Sequence, residues 1–337
     1  MWNQVVVLLC GILAGVFLSA VVLVYAGVSL NNLYTEFVVS VFSSPANISA
    51  VLVRSAPLII VGVSAAVAFR ANFWNIGIEG QMMCGAMAST YFSIYDIGPD
   101  QSRIFIMLIA SAVGGMAWIV IPVILKIRLG VNEIISTLLL NYVAFNFVLH
   151  KLYGSWKDPI TAFPNSAQFD AVERLPRLGW QNLTYTLPLA VLLALVCWWF
   201  LNFSRFGFFT KFTNANEKTA HALGFPVIKV IVVTALLSGA LSGIGGFVVT
   251  AGIEYRLTQS FFVGYGFSGI LIAFIAQNNP LGAILVAFFI AILFVVGQSL
   301  QVFYQIPGSM VQFIQAIVVI TVAGSEFFLR HRICWIR

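Results

Sequence analysis

Three polar residues recur at intervals of four in an otherwise apolar run: Glu133, Thr137 and Asn141 in Gly130-Val-Asn-Glu-Ile-Ile-Ser-Thr-Leu-Leu-Leu-Asn-Tyr142. On a helix this spacing draws one polar stripe that drifts slowly around the axis. It covers about 12 Å at 1.5 Å per residue, a little over a third of a bilayer's hydrocarbon. Such a stripe can line one wall of a hydrophilic passage, or hydrogen-bond a neighbouring helix at ~0.6 kcal/mol per contact. Both readings stay open on the residues alone. The series stops at Phe145. Asn146 and His150 lie on a different face, about 140° round from Asn141, and a helix polar on two sides is expected to be enclosed by other helices.

A second candidate is Phe73-Trp-Asn-Ile-Gly-Ile-Glu-Gly-Gln81. Gly77 and Gly80 loosen a helix and free backbone groups for other partners. Asn75, Glu79 and Gln81 offer donors and acceptors, while Phe73 and Trp74 offer flat apolar faces. Together these suit a ligand with a ring and several hydroxyls, although an aromatic anchor ahead of a helix start has the same composition. A third is Phe262-Val-Gly-Tyr-Gly-Phe-Ser-Gly269, with Tyr265, Phe267 and Ser268 as its chemistry, closed by Gln277-Asn-Asn-Pro-Leu-Gly282. A fourth is the mixed segment Arg205–Pro226, where residues 215–223 are mostly good helix formers ended by Gly224 and Pro226. Ser238, Ser242 and Gly246, with Gly239 and Gly243, give a small-residue ridge that reads as helix packing.

The elements that must position these residues are dictated by composition. Of 337 residues, 61% are hydrophobic and 8% charged, against roughly 25% charged in a soluble domain. No water-facing surface can be built from this chain, which excludes a soluble enzyme, a disordered scaffold and a disulfide-stapled secreted domain. The expected fold is all-α, a polytopic helical membrane protein with about ten transmembrane helices, some of them short or broken. The spans are placed at about 5–27, 50–70, 80–96, 104–126, 133–153, 185–203, 227–251, 266–277, 280–300 and 307–325. The first is read as a retained helix. Residues 1–337 form a single transmembrane domain, with 205–226 a loop within it. Segments 80–96 and 266–277 are short, and broken helices are tolerated only where protein or a water-filled cavity meets them.

The 17 basic residues are scattered, without the basic face that nucleic acid would need. With both termini cytoplasmic, the inner side collects Arg70, Lys126, Arg128, Arg205, Lys211, Lys218, Lys229, Arg330, Arg332 and Arg337. The inner acids are Glu79, Glu133, Glu217 and Glu326, so the whole net charge of +6 falls inside, as Lys and Arg in short loops favour. Cys10, Cys84, Cys197 and Cys334 are far apart, with no metal or disulfide rhythm.

In order along the chain, Asn75-Ile-Gly-Ile-Glu-Gly-Gln81, Gly130-Val-Asn-Glu…Ser-Thr…Asn141-Tyr and Gly264-Tyr-Gly-Phe…Asn-Asn-Pro-Leu-Gly282 resemble the permease subunits of ATP-binding-cassette importers. The branch is the branched-chain amino acid, simple sugar and nucleoside family, and the motifs look most like its nucleoside-type members. The resemblance covers about 50–325. It implies translocation of a nucleoside-like or simple-sugar solute across a bacterial cytoplasmic membrane, with Phe73, Trp74, Asn75, Glu79, Gln81, Glu133, Thr137, Asn141, Tyr265, Phe267 and Ser268 along the solute path. It implies a coupling helix at Ala215-Asn-Glu-Lys-Thr-Ala…Gly224, carried by Ala215, Asn216, Glu217, Ala220 and Gly224. The partners implied are an ATPase subunit, a second permease (often a related chain, giving a heterodimer) and an extracytoplasmic binding protein, besides membrane lipid. No cofactor or catalytic residue is implied, and the chain has no phosphate-binding Gly-Lys-Ser/Thr loop. Three positions depart from the family's pattern: Ser268 stands where an acid is usual, Gln277 where Arg is frequent, and Trp74 where Phe is common. The competing reading is an ion-coupled secondary transporter, which calls for paired ionisable residues at mid-membrane. A membrane scaffold, which needs neither broken helices nor a polar stripe, is the third.

Overall fold

A computed structural model describes residues 2–160, 163–259 and 264–330. Phe262 and Val263 of the third segment, and Arg332, Cys334 and Arg337, lie outside the described residues. The architecture is all-helical. In chain order the helices are α1 (Trp2–Tyr25), α2 (Leu30–Tyr34), α3 (Val41–Ser43), α4 (Pro45–Phe69), α5 (Ile78–Ile94), α6 (Asp100–Leu129) and α7 (Glu133–Tyr153). There follow α8 (Thr186–Phe203), α9 (Arg205–Ala215), α10 (Glu217–Ala222), α11 (Val227–Val249), α12 (Tyr265–Ile275), α13 (Pro280–Tyr304) and α14 (Gly308–Arg330).

The chain divides into two compact units, residues 1–51 with 291–337, and residues 52–290. In the first, α1 packs on α14: a side chain at Gly11 or Gly15 would strike Ser325, Thr321 or Val318. The second holds every candidate segment. Its centre is the packing of α5, α6 and α11, and the expected small-residue ridge of α11 is what permits it. A Cβ on Gly243 would run into the backbone of Ser111 and Gly115 on α6, and one on Gly246 into the backbone of Met82 on α5. With no hydrophobic drive between helices in lipid, close approach of this kind supplies the packing energy.

Six helices among the described residues are long and apolar enough to cross a membrane: Pro45–Phe69, Asp100–Leu129, Glu133–Tyr153, Thr186–Phe203, Val227–Glu254 and Pro280–Tyr304. The protein is therefore a polytopic helical membrane protein, while the count of ten is not reached by length and composition. The other four expected spans fall on Leu13–Tyr25, Tyr265–Ile275 and Gly308–Val322, and on α5 with its 17 residues. Of these, α5 and α12 are below the ~20 residues that a full crossing takes, whereas α1 with 24 residues and α14 with 23 are long enough.

Asn146 and His150 are exposed together with Tyr142, Val143 and Phe147, and are not enclosed by this chain. Asn146 needs no neighbour, because its Nδ2–H donates to the Tyr142 carbonyl one turn earlier, at 2.7 Å.

Candidate solute path and coupling loop

The stretch Ala71–Gly77 is not helical, so between α4 and α5 the backbone has N–H and C=O groups without ladder partners. In a membrane each must be satisfied by protein. The stripe on α7 does this. The Trp74 N–H reaches Glu133 Oε1 at 3.5 Å, the Ile76 N–H reaches Thr137 Oγ1 at 3.2 Å, and the Gly80 N–H reaches Asn141 Oδ1 at 2.8 Å. Asn141 Nδ2 returns a bond to the Ile76 carbonyl at 3.0 Å. The register follows from geometry. Four residues of α7 rise about 6 Å, and the two residues from Trp74 to Ile76, irregular and turned at Trp74 where the Asn75 N–H meets the Phe73 carbonyl, lie beside one such step. The next step matches four residues from Ile76 to Gly80, where α5 takes up the helical rise.

Side chains of the same stretch close a second network behind it. Asn75 and Gln81 exchange both amide bonds, at 2.9 and 2.8 Å, and Asn75 Oδ1 accepts the Gly77 N–H at 3.1 Å. Asn75 Nδ2 also reaches Ser238 Oγ on α11 at 2.9 Å, and Ser64 on α4 bonds the hydroxyls of both Ser238 and Ser242. Asn75 and Gln81 are at most 1% exposed. A polar network fully satisfied in this way rigidifies its surroundings and is costly to disrupt.

Glu133 is anchored from α6 by Lys126 at 2.5 Å, and the same ammonium lies over the Phe73 ring, 5.3 Å from its centroid. Asn132 caps α7 by accepting the Ile134 N–H at 2.8 Å. Arg70, which sequence reasoning did not single out, ties the same end together: its guanidinium donates to the Asn278 carbonyl at 3.0 Å and to Asn202 Oδ1 at 3.3 Å.

Of the residues nominated in the first and second segments, Trp74 has the most open face, at 37% exposure. Its ring packs against Phe69 at 5.1 Å and Phe274 at 5.7 Å, and Phe274 is itself exposed. In the third segment Phe267 is 45% exposed, while Tyr265 and Ser268 are buried. Phe267, Leu271 and Phe274 follow at i, i+4 and i+7, so α12 presents one apolar stripe whose far end joins the Trp74 cluster. Tyr265 Oη receives a long bond from Arg54 Nη1 at 3.5 Å. Glu79 is 3% exposed, with its carboxylate on the Gly266 N–H.

The far end of α5 is held differently. Arg103, buried at the start of α6, pairs with Glu173 at 3.0 Å, Asp96 at 2.9 Å and Asp100 at 2.6 Å. Glu173 also accepts from Ser93 Oγ at 2.6 Å and from the Asp170 N–H at 3.1 Å. This pair pins the loop before α8 onto α5 and α6. Its members lie 70 residues apart, and neither has a local motif by which the sequence could show the pairing.

Segment 205–226 folds as two helices where the sequence suggested one. Ser204 caps α9 through the Gly207 N–H at 3.0 Å, and Asn216 breaks the run by turning extended and capping α10 through the Thr219 N–H at 3.0 Å. Ala220 is buried; Ala215, Asn216, Glu217 and Gly224 are exposed. Gly224 sits at φ +79°, the left-handed conformation that ends α10 most easily with glycine. Around them Phe208, Phe212 and Leu223 stand exposed beside Arg205, Lys211 and Lys218.

A set of membrane-crossing helices with a broken entry to α5 bonded from α7, and an exposed helical loop between two spans, defines a polytopic membrane protein. Residues 47–323 match the family model described as the permease component of a branched-chain amino acid transport system, and the chain belongs to that family. It is similar to a glucose ABC transporter permease protein of Haloferax volcanii, 32% identical over 96% of this chain and 88% of that one. It is also similar to a guanosine ABC transporter permease protein of Bacillus subtilis, 28% identical over 96% and 94%. A nucleoside ABC transporter permease protein of Lactococcus lactis is 25% identical over 86% and 83%. No solved structure matches. As a permease component the chain is a transport subunit and not an enzyme.

Proposed function

We propose that this chain is the membrane-spanning subunit of an ATP-driven importer for a nucleoside-like or simple-sugar solute. The observation that carries the reading is similarity over nearly the full length to permeases named for glucose and for guanosine. ATP is hydrolysed on a partner ATPase, and an extracytoplasmic binding protein delivers the solute. A second permease completes the passage. Bacillus subtilis has two guanosine permease proteins that both resemble this chain, which favours a related chain as the partner.

The proposed topology has ten membrane passages, with both termini on the cytoplasmic side of a bacterial cytoplasmic membrane. Two groupings within residues 52–290 support it: Arg70 and Lys126 cluster with Glu133 at the start of α5, and Arg103, Asp96, Asp100 and Glu173 gather at its other end. The first grouping holds two basic residues and the second one, and it is the number of Lys and Arg that favours a cytoplasmic end.

Along the proposed path, Trp74 and Phe267 face the solute, with Phe274 added to them by its place in the same aromatic cluster. Phe73, Asn75, Glu79, Gln81, Glu133, Thr137, Asn141, Tyr265 and Ser268 form the wall behind. Flat rings suit both a nucleobase and a sugar face. The ATPase docks on Ala215, Asn216, Glu217, Ala220 and Gly224, where exposed Phe212 and Leu223 supply an apolar contact and Lys211 and Lys218 a charged rim. The test is affinity purification of the tagged chain in mild detergent, followed by identification of what remains bound. An ATPase and a second permease in stoichiometric amount are expected. A chain that purifies alone and moves solute in ion-loaded vesicles would overturn the proposal in favour of an ion-coupled transporter.

A further inference from the structure

Two helices in the 52–290 unit begin within the protein interior, α5 at Ile78 and α12 at Tyr265, and neither can cap itself. Each is preceded by glycine, Gly77 and Gly264, and neither start has a side-chain cap of its own. A helix start leaves four N–H groups without intrahelical partners, and at these buried positions water does not supply the missing acceptors. The partners come from other helices. Asn141 of α7 takes the Gly80 N–H of α5. Glu79, in the first turn of α5, takes the Gly266 N–H of α12, and the Gly264 and Phe267 backbone groups also lie against its carboxylate. The fit leaves no slack: a Cβ on Gly266 would collide with the backbone and carboxylate of Glu79.

We infer that Glu79 is a positioning residue: its buried carboxylate is the N-terminal cap of α12, joining α5 and α12 so that the two short helices move as one body. Caps are thus donated in sequence, from α7 to α5 and from α5 to α12. The carboxyl oxygens face the N-terminal end of the α12 dipole, which is positive, and accept the N–H groups exposed there. Any displacement of the Glu133–Asn141 stripe is then transmitted to the α12 stripe of Phe267, Leu271 and Phe274. The inference builds on the permease reading and narrows the part of Glu79 in it, from contact with the solute to placement of α12.

The experiment places a reporter, Phe267→Cys, in the full complex, in a chain whose own cysteines are replaced. Its rate of modification by a soluble maleimide is measured with Glu79 intact and with Glu79→Ala, Glu79→Gln or Glu79→Asp. Loss of the Glu79 bonds to the helix start should raise the labelling rate at least about tenfold in the alanine variant. Glutamine, which keeps one acceptor, and aspartate, which keeps the carboxyl on a shorter arm, should give intermediate rates. In chains without the reporter, the same Glu79 variants should lower the maximal rate of uptake and leave the preference between guanosine and glucose unchanged. Unchanged labelling in an assembled variant, or a changed solute preference, overturns the inference. If the alanine variant does not assemble, the glutamine and aspartate variants decide it. Labelling requires no transport, so failure of the inference is separate from failure of the permease reading.

Discussion

Residues 73–81 and residues 205–226 have opposite relations to their surroundings. The first is rich in amide and carboxylate groups and is almost wholly buried; the second carries exposed Phe208, Phe212 and Leu223. In the first, polar groups face inward because the chain breaks its own helix there and then satisfies the break from α7, α11 and α6. In the second, apolar groups face outward because nothing in this chain covers them, and exposed apolar patches rimmed by charge mark interaction sites. One region is completed within the chain, and the other, on the proposed function, awaits a partner. Substitutions in the first should therefore register as lost stability, and substitutions in the second as lost coupling in an intact protein.

The largest expected effect on stability is Asn75→Leu. It leaves the Gly77 N–H and the Gln81 amide without their partner and removes one of the bonds to the Ser238 hydroxyl, which keeps Ser64, at a cost of about 3 kcal/mol or more. The check is the melting temperature and yield of the detergent-purified chain; a wild-type melt would break the contrast between the two regions. Asn141→Leu comes next, at about 2 kcal/mol, because it frees the Gly80 N–H and the Ile76 carbonyl. The complex should assemble with a lowered melting temperature and reduced uptake, and unchanged uptake would remove Asn141 from the path and its wall. Gly224→Leu should cost about 1 kcal/mol, since a left-handed position is being filled by a branched side chain, while uptake per ATP hydrolysed falls much further. Glu217→Arg should change stability by less than about 0.5 kcal/mol, as exposed substitutions do, and still uncouple the complex. Loss of assembly in the last two variants would show that the loop is part of the fold and not an interface.

The sequence showed the stripe on α7 clearly, because a helix repeats its face every four residues and lipid-facing positions are otherwise apolar. What the stripe binds was not legible. Its partners are backbone N–H groups of Trp74, Ile76 and Gly80, and backbone groups carry no side-chain signature. The small-residue ridge on α11 was legible for the same periodic reason. Its two serines also complete the Asn75 network, which depends on the depth at which the broken segment enters the protein. The Arg103–Glu173 pair escaped notice because it depends on a loop folding back over 70 residues. Helix α9 was missed as a separate element although Phe208 and Phe212 stand at i, i+4 and Ser204 just before it is a recognisable cap; Gly207, Thr210 and Thr213 dilute the helical signal. The short spans were legible as short. Whether they complete a crossing depends on what surrounds them, and length and hydropathy do not contain that.

The comparison between the buried segment and the exposed loop is tested most directly by the number of solute molecules moved per ATP hydrolysed. The measurement uses the full complex in proteoliposomes, carrying either the native chain or Glu217→Arg. A ratio that falls at least about tenfold, as removal of an interface hot spot produces, together with an unchanged melting temperature, is the result predicted. A native ratio would contradict the assignment of the loop as the coupling surface, and with it the division of the molecule into a part that completes itself and a part that its partner completes.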